Sequence, residues 1–170
     1  AEAHFIRPKE LAREDTLLDQ VLKQCIDWLE THESYVADIV VLLEITHPFR
    51  EKGIITQVIN TLTQKDLDSV FTAYEEYHSF WVQSENDELK RIDDDAFLPR
   101  QRKRPVYREV SGLVCATRAE FVKKGMRLGK KVGLIPLRDI HALIDTHDER
   151  GLWLAGIVMD ADKKVSNVRI

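Results

Sequence analysis

Four side chains able to do chemistry, Glu44, Thr46, His47 and Arg50, gather around Pro48 directly after the aliphatic run Val40 to Leu43. In such a turn an imidazole can take up a proton and a guanidinium can grip a carboxylate or phosphate. The same residues would also serve to end a strand at Pro48 and solvate its turn, and the turn alone does not choose between the two. A second candidate is Asp145, set in Leu143-Ile144-Asp145-Thr146-His147 between a strand and a helix. Asp145 or Thr146 could cap that helix. Alternatively, Asp145 could hold Mg²⁺, an ion that usually completes its shell with water and substrate phosphates. Ser111-Gly112 breaks an alternating strand pattern, and a glycine there marks a point that another group approaches closely.

Other motifs carry less. Ser111 has no nucleophile elbow, and Gly125, Gly129 and Gly133 form neither a dinucleotide fingerprint nor a phosphate loop. His4, His32, His78, His141 and His147 have no partner at a catalytic spacing and read as surface residues. The acidic Asp93 to Asp95 reads as a solvated loop, since three consecutive carboxylates do not converge on one ion without a shaped loop. The basic stretch Arg100 to Arg104 suits an anionic small molecule. Nucleic acid is not expected, because the net charge is -4 and no aromatic residues interleave the basic ones.

The elements that must position these residues follow from periodicity. Leu18, Val21, Leu22, Cys25, Ile26 and Leu29 form one stripe of an amphipathic helix that Thr16 can cap. A strand over 38–43 follows, and its aliphatic run suits a strand covered on both faces. A second helical stripe comprises Ile54, Ile55, Val58, Ile59 and Leu62, and a strand follows at 69–74. Helix, strand, helix, strand at these spacings predicts βαβ crossovers and parallel strands, hence an α/β fold. After a charged excursion, strand character returns over 106–117, with a short helix at 118–124, a strand at 131–137 and a last helix at 148–158. Leu152, Trp153, Ala155 and Ile157 supply the apolar surface of that last helix.

The 170 residues suit one domain, with a hydrophobic share of 44% that is ordinary for a globular protein. No apolar run reaches membrane-span length and no signal peptide is visible, so a cytoplasmic protein without a membrane partner is expected. Cys25 and Cys115 stand far apart and read as reduced core thiols.

Several separated segments together resemble the acylneuraminate cytidylyltransferases. Arg7-Pro8, Leu11-Ala12 and Asp15-Thr16 resemble that family's Arg-Pro, Leu-Ala, Asp-Thr segment. Leu42 to Arg50 resembles its Leu-Leu-Gln-Pro-Thr-Ser-Pro-Leu-Arg strand and turn. Pro99 to Gly112 resembles its Arg-Gln, Pro, Tyr, Asn-Gly stretch, and Ile135 to Thr146 its closing Asp-Ile-Asp-Thr element.

The resemblance implies a Rossmann-like, mostly parallel sheet flanked by helices, with 80–105 as a dimerisation excursion and a homodimer sharing active-site residues. It also implies transfer of CMP from CTP to the anomeric hydroxyl of a nonulosonic sugar acid, with release of pyrophosphate. In that scheme Asp145 would be the Mg²⁺ ligand, Arg100 and Gln101 would lie near the sugar acid, and Glu44 and Thr46 would line the sugar side. Ser111 and Gly112 would contact the sugar, and Asp15 and Thr16 would face the nucleotide. Apart from the resemblance, the place of His47 in the turn after the strand makes it the candidate base.

The departures are specific. The family's opening strand and Gly, Arg, Lys-rich phosphate loop have no counterpart, so the chain is expected to be truncated at its N-terminus. Leu143 replaces the first acid of the closing element, Glu44 a Gln, His47 a Ser and Ser111 an Asn. These replacements keep open a second reading, a non-catalytic sugar-binding or dimerisation module of the same fold.

Overall fold

The computed structural model describes residues 5–92 and 97–168; His4 and the acidic triplet Asp93 to Asp95 lie outside them. Helix α1 spans Leu18–Glu33 and turns Ile26 and Leu22 toward Ala119, Val122 and Val40. Thr16 does not cap it. The flanking residue is Leu17, which offers no side-chain acceptor, and the helix ends where Ser34 adopts a left-handed conformation at φ 54°. Strand β1 (Ile39–Leu42) follows. All four of its residues are half-buried rather than covered on both faces, because β1 lies at an edge and pairs, among the described residues, with one neighbour.

Helix α2 (Ile54–Gln64) carries the expected stripe, with Ile54, Val58 and Leu62 buried against the sheet. Each such side chain contributes about 1.5–3 kcal/mol by leaving water. Strand β2 (Ser69–Glu76) is the centre of the sheet, with Ser69, Val70, Thr72 and Ala73 fully buried. The chain then leaves the sheet for a hairpin of β3 (Trp81–Gln83) and β4 (Leu89–Arg91) and a 3-10 turn over Arg100–Arg102. It returns as β5 (Val106–Glu109) and β6 (Cys115–Arg118), followed by the short α3 (Ala119–Val122), β7 (Val132–Leu137) and α4 (Glu149–Val168).

The expected parallel crossover between β1 and β2 is modified by an insertion. β5 and β6 run in succession along one side of β2, antiparallel to it, and β6 also pairs antiparallel with β1. β7 pairs parallel with the other side of β2. Thus β1, β2 and β7 share one direction, while β6 separates β1 from β2. The cause is the excursion: a chain that leaves β2 at its carboxyl end and re-enters at that end beside it must come back antiparallel, since a parallel return requires a crossover to the far end.

Helix α4 is longer than expected and less buried. Ala155 is turned into the body, whereas Leu152, Trp153 and Ile157 are exposed. No helix among the described residues is long and apolar enough to cross a membrane. Cys115 is buried and burial pushes its thiol up to about 11; Cys25 is half-buried.

Candidate active site

The shared direction of β1, β2 and β7 brings their carboxyl ends to one edge of the sheet, the place where α/β sheets bind ligands. Two loops meet there. The turn after β1 carries Glu44, Thr46 and His47, and the segment after β7 carries Leu143, Asp145 and His147. Between β5 and β6 runs the loop Val110 to Val114, which the antiparallel insertion places against both.

Hydrogen bonds fix this corner from three sides. From below, the buried Thr72 of β2 donates its hydroxyl to the Val110 carbonyl at 2.6 Å and takes the Val110 N–H on its own carbonyl at 2.8 Å. From the side, the Arg50 guanidinium donates through Nε to the Leu113 carbonyl at 2.8 Å and through Nη2 to the carbonyls of Glu44 and Gly112. The Glu44 N–H donates to the Gly112 carbonyl at 2.8 Å. On the third side, Thr146 donates both its N–H (2.9 Å) and its hydroxyl (3.2 Å) to the Thr46 carbonyl, which locks the segment after β7 to the turn after β1.

Gly112 is required by contact. A β-carbon there would lie 2.7 Å from His47 Cε1 and 2.9 Å from Glu44 Cδ, so the glycine predicted to be closely approached is approached by those two side chains. His47 is 9% exposed, with Nδ1 3.3 Å from the Thr46 hydroxyl. Burial lowers the affinity of the Arg50 guanidinium for its proton, and the Glu44 charge acts against that. The carboxylate that replaces a neutral residue in the resembling family is therefore answered by a nearby cation.

The corner walls a cleft of about 330 Å³ lined by His47, Arg108, Glu109, Val110, Ser111, Gly112, Leu143 and Asp145. A second, more apolar recess of about 550 Å³ lies between Ile140, Ile144, Leu154 and Val158, and Leu143 and Asp145 line this one as well. Asp145 thus stands where two recesses meet. Its proton affinity is set by opposing effects. Burial raises it, but the His147 hydrogen bond, the charges of His147 and His47 and the Thr46 hydroxyl outweigh burial and hold the carboxyl below its usual range. His147 Nδ1 is in hydrogen-bond contact with Asp145 Oδ1.

The structure brings together His47, Ser111, Gly112 and Asp145 in the lining, with Thr46 beside Asp145 and Glu44 packed behind Gly112. It does not bring the other expected residues to this cleft within one chain. Arg100, with its guanidinium 5.7 Å over the Tyr77 ring, and Gln101 are exposed on the 3-10 turn of the excursion. Asp15 pairs with Arg13 at 3.1 Å on the exposed segment before α1, and Thr16 lies next to it. Neither Asp145 nor Thr146 caps α4; the Asp148 carboxylate accepts the Gly151 N–H at 2.7 Å instead.

Arg108, Glu109 and His147 escaped the sequence reading. For His147 the signal was available in the two-residue spacing Asp145-Thr146-His147, which lets both side chains meet across one turn. For Arg108 and Glu109 no local signal exists, since the register of β5 on β2 places them.

Neither a family model nor a curated protein matches this sequence. Among solved structures, the chain is similar to the 4-diphosphocytidyl-2C-methyl-D-erythritol synthase of Anaerococcus prevotii DSM 20548. The TM-score is 0.58 at 11% identity, over 86% of this chain and 68% of that one. At that identity the likeness is one of fold, and the fold is α/β, Rossmann-like, with a multi-stranded sheet flanked by helices.

Proposed function

We propose that this chain is a cytidylyltransferase domain that transfers CMP from CTP to the anomeric hydroxyl of a sialic acid-like nonulosonic acid, releasing pyrophosphate. The observation that carries the reading is the meeting of two recesses at Asp145, on the sheet edge where α/β domains bind ligands. A synthase whose product bears a diphosphocytidyl group shares the fold, and the four resembling segments supply the sugar-acid class.

The chemistry needs two ligands held in line, positive charge near the phosphates and a group that accepts the proton of the attacking hydroxyl. Arg108 and His47 bring cationic or hydrogen-bonding groups to the cleft, and Ser111 and the backbone around Gly112 offer contacts to sugar hydroxyls. A homodimer is the assembly this reading expects, with the excursion bringing Arg100 and Gln101 to the partner's cleft. The exposure of Trp81, Leu89 and Phe97 on the excursion supports a covering second copy.

Asp145 would hold a Mg²⁺ only together with water and the substrate phosphates, the usual arrangement for that ion. That ion takes oxygen ligands, and Asp145 offers one carboxylate whose Oδ1 is engaged by an imidazole. Leu143 supplies no second acid, and no group of three or more His, Cys, Asp or Glu side chains among the described residues is arranged for a metal.

The test is pyrophosphate release by the complete gene product from CTP with a panel of nonulosonic acids. Release that requires both substrates supports the proposal, and no release with any acid overturns it. Leu143 on the cleft wall favours one other reading, the sugar-binding or dimerisation module. Calorimetry separates the two: the module would bind a sugar acid without measurable affinity for CTP.

A further inference from the structure

We infer that the apolar recess between α4 and the 3-10 turn Ile140–Leu143 binds an apolar substituent of the acceptor sugar, an acyl chain longer than acetyl, and that Leu143 sets this specificity. The inference rests on the nucleotidyl-transfer reading above and narrows its acceptor class. The recess has a volume of about 550 Å³, within the range of roughly 300–1,000 Å³ in which proteins hold small molecules. An acetyl group would leave most of it empty. Ile140, Leu143, Ile144, Leu154 and Val158 give it an aliphatic wall, and the polar side chains on its lining are those of His141 and Asp145. His141 Nδ1 lies 3.1 Å from Asp139 Oδ1, so that nitrogen is already engaged. A cytosine ring buried here would leave much of its polar edge unpaired, at a cost that an alkyl chain does not incur.

Continuity ties the recess to the reacting centre. Leu143 and Asp145 line both it and the polar cleft that holds Arg108 and Ser111. Gly151, in the first turn of α4, lies so close to the Asp145 carbonyl that a β-carbon there would overlap it. The recess wall and the Asp145 segment are therefore one block, which Thr146 fixes to the Thr46 carbonyl. A sugar whose hydroxyls face Ser111 in the cleft extends into the recess past Leu143 and Asp145.

Position 143 is also where this chain departs from the family it resembles, which has an acid there. A carboxylate at that point would set a charge on the walls of both recesses, and an alkyl chain passing it would strip that charge of water. Leu143 removes this cost and adds apolar contact. The departure thus changes which acceptor fits.

Calorimetry on the complete gene product tests the inference without turnover, using nonulosonic acids that differ only in their amide chain: N-acetyl, N-butanoyl and N-hexanoyl. Affinity should rise about fourfold for each added methylene. Leu154 is 42% exposed, so Leu154→Gln places an amide on the recess wall without emptying the core, and it should flatten the series. Leu143→Asp should reverse it, with the N-acetyl acid bound most tightly. In pyrophosphate release the wild-type order should appear in KM rather than kcat. Affinity that stays level or falls beyond N-acetyl, or a wild-type slope in Leu154→Gln, would overturn the inference. A wild-type slope accompanied by a changed sedimentation coefficient in Leu154→Gln would give the recess to a second copy instead. If no acid supports release while the binding series is still graded, the transfer reading falls and the assignment of the recess stands.

Discussion

Two regions of the molecule, the cleft corner and the excursion, treat their polar and apolar residues in opposite ways. At the cleft corner, charged and polar side chains are buried or half-buried and bonded to backbone: Thr72 and Arg50 hold the 110–114 loop, and His47 fits against Gly112. On the excursion, large apolar residues face outward, with Trp81 57% and Leu89 66% exposed on a hairpin that pairs only with itself among the described residues. The corner spends its polar groups on its own fold. The excursion leaves apolar surface that the described residues do not cover, and this is the surface on which the proposed second copy would pack.

This contrast predicts a graded set of responses. Arg50→Met keeps the bulk of the side chain but leaves the carbonyls of Leu113 and Glu44 without their charged donor. Denaturant unfolding should show a loss of about 1.5–3 kcal/mol. Gly112→Ala forces the His47 ring and the Glu44 carboxyl aside, at a cost of about 1–3 kcal/mol, and should also weaken ligand binding at the cleft. If Gly112→Ala behaved like a surface change, the tight corner would not exist as described.

Trp81→Ser should leave the stability of the isolated chain within about 0.5 kcal/mol. In the proposed dimer it should raise the dissociation constant measured by sedimentation. An equal loss of monomer stability would show that the excursion packs on its own body and would erase the contrast.

The smallest effect is a pH response outside both regions. Asp68 accepts the backbone N–H groups of Lys131 and Lys130 at 2.8 and 2.9 Å, and these bonds, Lys131 first, hold its carboxyl below the ordinary range. Its folded value lies below its unfolded value, so the stability it contributes is present above about pH 3.9 and lost as pH falls through the folded value. Asp68→Asn should flatten the acid limb of the stability curve slightly while the two corner variants keep their wild-type slope.

Local patterns reached far into this fold. The α2 stripe places Ile54, Val58 and Leu62 in the core as read, and the Ser111-Gly112 break marked a real close approach. Features that depend on distant partners were not legible. The four residues of β1 form the same run whether two sheet neighbours or one flank them, so the strand's half-burial could not be read from it. Strand direction is equally silent: 106–117 alternates as it would in a parallel strand, and only the excursion's point of return makes it antiparallel. At the site, the turn after β1 was found from composition, but Arg50 as a backbone clamp and Glu44 behind Gly112 required the loop that folds onto them. His147 is the exception, since its partner Asp145 lies two residues away and the spacing alone could have shown it.

The central claim, that the cleft at Asp145 is where this chain binds nucleotide, is tested most directly by mapping amide chemical shifts as CTP is added. The account predicts changes concentrated at His47, Arg108 and the 143–147 segment. Changes confined elsewhere, such as the groove along α1 beside Trp28 and His32, or none at saturating CTP, would contradict it.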